Sequence, residues 1–283
     1  MSSPTAHSDL TTSLDGSETA DRARRFGGIA RLYGAPALAA FEAAHVAVIG
    51  IGGVGSWVAE ALARSAVGTL TLIDLDNVAE SNTNRQIHAL DGNYGKPKVE
   101  AMAERIAAIN PYCDVRLIED FVEPDNFAAT LGGGFDYVID AIDSVRTKTA
   151  LIAWCVERKQ PLITVGGAGG QLDPTRIRID DLALTIQDPL LSKVRAQLRK
   201  QHGFPRGPKA KFKVSAVYSD EPLIYPEVAV VDGDEEAGQV NTSPVGPIGL
   251  NCAGFGSSVC VTASFGFAAA AHVLRALGQQ AAA

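Results

Sequence analysis

The stretch Gly50-Ile51-Gly52-Gly53-Val54-Gly55 closes a Val/Ile-rich run and opens an Ala-rich one. Glycine at 50, 52, 53 and 55 lets a backbone turn tightly and approach phosphate oxygens, and a helix starting there offers unpaired N–H groups and the positive end of its dipole. Asp74 lies nineteen residues beyond Gly55. A carboxylate at such a strand end accepts hydrogen bonds from ribose hydroxyls. To this point a nicotinamide-dependent oxidoreductase fits as well as a nucleoside-triphosphate enzyme.

Asn82, Arg85, Lys98 and Asp143 separate the two. Arg85 and Lys98 would neutralise phosphate oxygens, Asn82 would donate a neutral hydrogen bond, and Asp143 would hold Mg²⁺. Hydride transfer has no general need for that set. Gln86 stands beside Arg85, and the carboxylates Asp76 and Asp140 stand close to Asp74 and Asp143 in the sequence. For any one of these residues, surface charge on a loop is an equally good reading; the set in this order is what carries the inference.

The elements that must position these residues alternate. Strand patterns at His45–Gly50, Thr69–Asp74, Val115–Glu119, Tyr137–Ala141 and Leu162–Val165 are interleaved with helical patterns at Gly53–Ser65, Lys98–Ile109 and Ser144–Lys159. Such alternation predicts an α/β, Rossmann-like doubly wound, mainly parallel sheet with helices on both faces. Ahead of it, two short helices broken near Gly34 and Pro36 form a helical arm over 22–44. Residues 1–21 are polar and read as a disordered tail, and 45–170 form the nucleotide-binding domain. Beyond Gly166-Gly167-Ala168-Gly169-Gly170 a smaller substrate-side region spans 171–250, with strands at Gln171–Ile179 and Lys211–Tyr218 and a basic helix at Pro189–His202; residues 251–283 form a C-terminal helix packed on the sheet.

A 283-residue chain with 46% hydrophobic content suits one α/β domain with an insertion. The net charge of −7 argues against wholesale wrapping of nucleic acid, yet no acidic residue occurs between Pro189 and Ser219, where Lys193, Arg195, Arg199, Lys200, Arg206, Lys209, Lys211 and Lys213 gather. That run could follow a phosphate backbone; a solvated basic face is the alternative. Cys113, Cys155, Cys252 and Cys260 make no C-x-x-C pair, which points away from zinc and disulfides and toward a reducing cytoplasm, with core packing expected for the last three. The start carries no secretory pattern. The apolar stretch Cys252–Leu277 is diluted by Ser257, Ser258, Thr262, Ser264 and His272, so a buried helix is expected and no membrane contact. His88 is expected to make a structural hydrogen bond.

The segment from Val46 to Val165 resembles the adenylating domain of the ubiquitin-activating-like superfamily, which includes the molybdopterin- and thiamine-pathway sulfur-carrier activators. The resemblance implies that Asp74 binds ribose, that Asn82, Arg85 and Lys98 hold phosphates, and that Asp143 is the Mg²⁺-binding catalytic aspartate. Four longer motifs, Arg25-Phe26-Gly27-Gly28-Ile29-Ala30-Arg31-Leu32-Tyr33-Gly34, Thr83-Asn84-Arg85-Gln86-Ile87-His88-Ala89, Asp140-Ala141-Ile142-Asp143-Ser144-Val145-Arg146 and Gly166-Gly167-Ala168-Gly169-Gly170-Gln171, are similar to those of the tRNA threonylcarbamoyladenosine dehydratase branch.

That branch implies activation of a threonyl carboxylate on the modified adenosine at position 37 of tRNA by ATP and Mg²⁺, through an acyl-adenylate, followed by ring closure with release of pyrophosphate and AMP. It also implies a homodimer, in which an arginine from the partner's arm reaches the triphosphate. Gly28 stands where sulfur-carrier activators usually have that arginine, leaving Arg25 and Arg31 as candidates. A monovalent cation and a sulfur-transfer protein are further candidates for ligand and partner. The competing readings are adenylation of the C-terminal glycine of a small ubiquitin-like sulfur carrier, a non-catalytic nucleotide-dependent scaffold, and an oxidoreductase that would leave Arg85, Lys98 and Asp143 unexplained.

Overall fold

The computed structural model describes residues 21–207, 210–225 and 255–281. The tail up to residue 20, Lys209, Cys252 and the part of the substrate-side region at 226–250 lie outside the described residues. Asp21 caps the first helix, α1 (Arg22–Tyr33), by accepting from the Arg24 N–H, and Gly34 at φ 91° breaks it from α2 (Ala35–Ala43). The arm is thus two helices, divided where the glycine and proline stand.

The strands β1 (His45–Ile49), β2 (Thr69–Ile73), β3 (Asp114–Ile118), β4 (Tyr137–Asp140), β5 (Leu162–Val165), β6 (Ile177–Asp181) and β7 (Ser215–Ser219) form one seven-stranded sheet in the order β3-β2-β1-β4-β5-β7-β6. All neighbours are parallel except β6, which runs antiparallel to β7. The expected strand at Gln171–Ile179 is displaced to Ile177–Asp181. Pro174, which has no N–H for a ladder, starts a 3₁₀ turn capped by Asp173, so the chain cannot pair until that turn ends.

Both faces of the sheet are covered, and the two-residue period of the strands sorts the core. Val46 and Val48 of β1 face α2, α3 (Gly55–Arg64), α4 (Lys98–Ile109) and the last helix, α8 (Val259–Gln280). Ala47 and Ile49 face α5 (Phe127–Leu131), α6 (Val145–Arg158) and α7 (Pro189–Gln201). α5 had no sequence signal beyond Phe127 and Leu131, the two residues it buries.

α8 is long and apolar enough to cross a membrane, but it buries Val261, Phe265, Ala269, Val273 and Leu277 in the core. It crosses α3 at Gly266, where a Cβ would come within 2.8 Å of the Val54 carbonyl oxygen and 2.9 Å of Trp57 Cβ. This close crossing braces the glycine loop from behind. Cys155 is in the core as expected; Cys260 is not, because it falls on the solvent side of α8.

Candidate active site

β1 lies where the chain order reverses, between β2 on one side and β4 on the other. Crevices form at the carboxyl ends of strands at such a point. Here a cleft of about 370 Å³ opens, lined by Gly50, Gly52, Gly53, Asp74, Asp76, Asn82, Arg85, Gln86, Lys98 and Asp143 among others. Ten residues named from the sequence therefore meet in one place. Gly50 takes φ 87°, and a Cβ there would stand 2.9 Å from the Ala141 carbonyl oxygen, so the glycine lets the β1 and β4 ends touch. Gly55, expected to bind nucleotide, does not line the cleft. A Cβ on it would lie 1.7 Å from the Gly50 carbonyl oxygen, so its part is to let the loop fold onto α3. No side chain caps that helix start.

Asp74 is nearly buried and orders this loop. One carboxylate oxygen accepts from the Ile51 N–H at 2.6 Å and the other from the Asp76 N–H at 2.9 Å. Burial raises its pKa, opposed by Lys98 and by those two N–H groups. Lys98, also nearly buried, places its ammonium 2.7 Å from Asp76 and 3.9 Å from Asp74. The acidic pair thus holds a cation at the cleft wall.

Arg85 lies across Gly53, where a Cβ would come within 3.1 Å of its Cγ and Cδ. Its guanidinium donates to the Ser81 carbonyl at 3.0 Å and to Asn84 Oδ1 at 2.9 Å, while Trp57 Nε1 donates to the Arg85 carbonyl. Asn82 accepts from the Ala79 N–H through Oδ1, which leaves its Nδ2 hydrogens for a ligand. Gln86 is buried and its Oε1 has no partner among the described residues; a Cβ at Gly52 would sit 4.0 Å from its Nε2. An unpaired buried amide over bare glycines is a polar cradle that a ligand would complete.

Asp143 is exposed at the rim, and the described residues contain no cluster of three metal-binding side chains. A single carboxylate suits Mg²⁺ held mainly by phosphate oxygens and water. Asp140, just below, has a different part. It is fully buried, 2.8 Å from the equally buried Lys148, which also donates to the Asp140 carbonyl and to Thr164 Oγ1. Thr164 donates to one carboxylate oxygen and the Ile142 N–H to the other, so this network sets the turn that presents Asp143.

Lys148 and Thr164 were not foreseen. A signal existed, since 148, 151, 152 and 155 share one stripe of α6 and a lysine there breaks the apolar pattern.

Arg25 and Arg31 lie outside the cleft of their own chain. Arg25 caps α4 by donating to the carbonyls of Ala108 and Ile109, while Arg31 is exposed and lies along Gly27 and Gly28. His88 makes no structural hydrogen bond: both ring nitrogens are buried without a partner among the described residues. Burial, with Lys98 and Arg105 adding to it, lowers its pKa to about 4.

The basic run divides. Arg195 is half-buried on Thr185, and Arg199 packs over Phe212 and donates to the Pro205 carbonyl. Lys193, Lys200, Arg206, Lys211 and Lys213 are exposed.

A parallel sheet with a glycine loop at its reversal point and a carboxylate at the next strand end defines an α/β nucleotide-binding protein. The chain belongs to the ThiF family, whose model matches residues 27–282. It is 53% identical to the tRNA threonylcarbamoyladenosine dehydratase of Escherichia coli strain K12, over 92% of this chain and 95% of that protein. A crystal structure of the E. coli tRNA N6-threonylcarbamoyladenosine dehydratase in complex with ATP superposes with a TM-score of 0.81 at 51% identity, covering 92% of this chain and 96% of the other. The E. coli molybdopterin-synthase adenylyltransferase is 34% identical over only 44% of this chain and 50% of its own length.

Proposed function

We propose that this chain is an ATP-dependent enzyme that dehydrates threonylcarbamoyladenosine at position 37 of tRNA to a cyclic form. The observation that carries the reading is the convergence of Asp74, Asn82, Arg85, Lys98 and Asp143 in one cleft. Likeness to a dehydratase over nearly the full length of both chains supports it over carrier-protein adenylation, for which the similarity spans half of the relative.

A carboxylate is a poor electrophile until it is activated. In the first step its oxygen attacks the α-phosphorus of ATP, the bond to the bridging oxygen breaks, and pyrophosphate leaves. In the second, an atom of the same carbamoyl group attacks the acyl carbon, gives up its proton and expels AMP, so the side chain has lost one water. Well-placed intramolecular groups reach effective molarities of ~10⁵ M, which accounts for much of the second step.

Asp74 anchors the ribose, the glycine loop and Asn82 hold phosphate oxygens, and Arg85 and Lys98 take up charge as pyrophosphate departs. Mg²⁺ at Asp143 supplies further positive charge to those oxygens when bound. Lys98 reaches them by exchanging part of its pairing with Asp76. The enzyme acts as a homodimer in which the partner subunit's Arg31 completes the triphosphate site; Arg31 suits this because it is exposed and no described residue ties it down as α4 ties Arg25. Its compartment is the cytoplasm, in keeping with the free thiols of Cys113, Cys155 and Cys260. The exposed basic residues of α7 and the loop after it contact the tRNA backbone.

The test is pyrophosphate release with threonylcarbamoyl-modified tRNA, unmodified tRNA and no tRNA, with mass spectrometry of the nucleoside. Release that depends on the modification, with loss of one water, is expected. Release driven instead by a carrier protein's C-terminal glycine would move the function to the competing reading. Asp143→Ala is expected to abolish release while tRNA still binds.

A further inference from the structure

Beyond the glycine-rich shelf at Gly166–Gly170 the nucleotide cleft has a neighbour. An outer groove of about 390 Å³ is lined by Gln187, Pro189, Ser192, Arg195, Leu223 and Tyr225. A small hollow of about 20 Å³, lined by Gly167, Leu190, Leu223 and Phe255 among others, lies between the two: Gly167 and Leu190 also line the cleft and Leu223 also lines the groove. A Cβ at Gly167 would meet nothing within 4 Å, so the backbone there borders open space.

The groove's walls suit a nucleobase. Tyr225 is 69% exposed, and its ring meets Phe255 edge-on at 5.4 Å. Gly170 makes this pairing: its N–H donates to the Gly256 carbonyl and its carbonyl accepts from the Ile224 N–H, at φ 71°, with no room for a side chain against the Ile224 oxygen or Phe255 Cβ. Two distant segments are thereby clamped so that Phe255 lines the small hollow and Tyr225 the groove. On the opposite wall Arg195 is fixed through one guanidinium nitrogen to Thr185, which leaves other donors for the groove. Asp188, which also lines the groove, accepts from the N–H groups of Gly167 at 2.9 Å and Leu191 at 2.8 Å, one on each carboxylate oxygen. Single-stranded nucleic acid is recognised by just this combination of an aromatic face, a few polar groups and a cationic track, and α7 carries both the groove wall and exposed Lys193 and Lys200.

We propose that the outer groove receives the modified base: an adenine extruded from a single-stranded RNA loop lies on Tyr225, and its carboxylate-bearing substituent passes over Gly167 and Leu190 into the cleft. The assignment of the substituent rests on the function proposed above; the base site itself does not. Full-length protein would be photo-crosslinked to an anticodon stem-loop RNA carrying 2-azidoadenosine at the reacting position, and the adducts mapped by mass spectrometry. Adducts at Leu223–Tyr225 or Ser192–Arg195 are expected, and adducts confined to Lys211, Lys213 or other surfaces overturn the site.

Steady-state kinetics give the second arm. Tyr225→Ala is expected to raise the KM for modified tRNA about tenfold, the loss of one stacking platform, while Tyr225→Phe stays near wild type. An unchanged KM in Tyr225→Ala overturns the proposal. Wild-type protein that crosslinks at Tyr225 without dehydrating modified tRNA overturns the assigned reaction and keeps the base site; turnover without the crosslink does the reverse.

Discussion

Asn84 Nδ2 donates to the Ser257 carbonyl oxygen at 3.0 Å across 173 residues of sequence. The same amide accepts from the Arg85 guanidinium through Oδ1, so one side chain ties the cleft arginine to the segment ahead of α8. That segment also meets Gly170 through Gly256. The arginine and the glycine-rich segment at Gly170 therefore hang on a common strip of backbone.

Asn84→Ala would release Arg85 from a charge-assisted bond and let its side chain sample many rotamers, an entropy that must be given up again on binding a phosphate. ATP affinity is expected to fall about fivefold to tenfold, taking a loss of roughly 1 kcal/mol or slightly more. Calorimetric titration with ATP checks this, and an unchanged affinity would refute the positioning role.

Lys148→Met removes the ammonium that lies 2.8 Å from a fully buried carboxylate, Asp140. Breaking one partner out of such a pair typically costs about 3–5 kcal/mol. The thermal midpoint should drop by several degrees, and in protein that remains folded at low temperature pyrophosphate release should fall because the Ile142–Asp143 turn loses its anchor. Lys148→Met combined with Asp140→Leu should recover stability without recovering catalysis; recovery of both would show that the pair serves stability alone.

Neutralising Lys193, Lys200 and Arg206, which are exposed, should weaken tRNA binding and lower the salt dependence of its logarithm by about 0.9 per lost duplex phosphate contact. Arg199→Ala should act differently. Arg199 stacks 5.1 Å from the Phe212 ring and donates to Pro205, so its loss should reduce stability as well. A salt slope unchanged in the triple variant would remove the basic face from the substrate surface.

His88 sets a pH dependence. Its folded pKa is lowered to about 4 from 6.5, chiefly by burial, so the unfolded chain binds the proton first as pH falls. Stability is then fully present above the unfolded value and drains away as pH drops from 6.5 toward 4. The expected loss at pH 5 is about 2 kcal/mol. Urea unfolding at pH 7 and pH 5 should show that difference in wild type and much less of it in His88→Leu; equal slopes in the two proteins would assign the acid sensitivity elsewhere.

Much of the cleft lining was legible because its signals are local. The spacing of Gly50, Gly52 and Gly53, the carboxylate of Asp74 at a strand end, and the Val/Ile alternation that orders the strands each depend on backbone conformation and side-chain period within a few turns of chain. Those choices are written into neighbouring residues.

The tertiary structure decided the rest. Lys148 became a buried partner of Asp140 only once α6 lay against β4 and β5, and Arg25 became a cap only once α1 met the end of α4. Cys260 went to solvent because the rotation of α8 is fixed by Gly266 against α3. Tyr225 and Phe255 meet because Gly170 joins their segments. In each case the energy comes from a contact between residues far apart in the chain, and such contacts have no local conformational signature: sequence set which residues could bind a nucleotide, and long-range packing set which of the others would hold them in place.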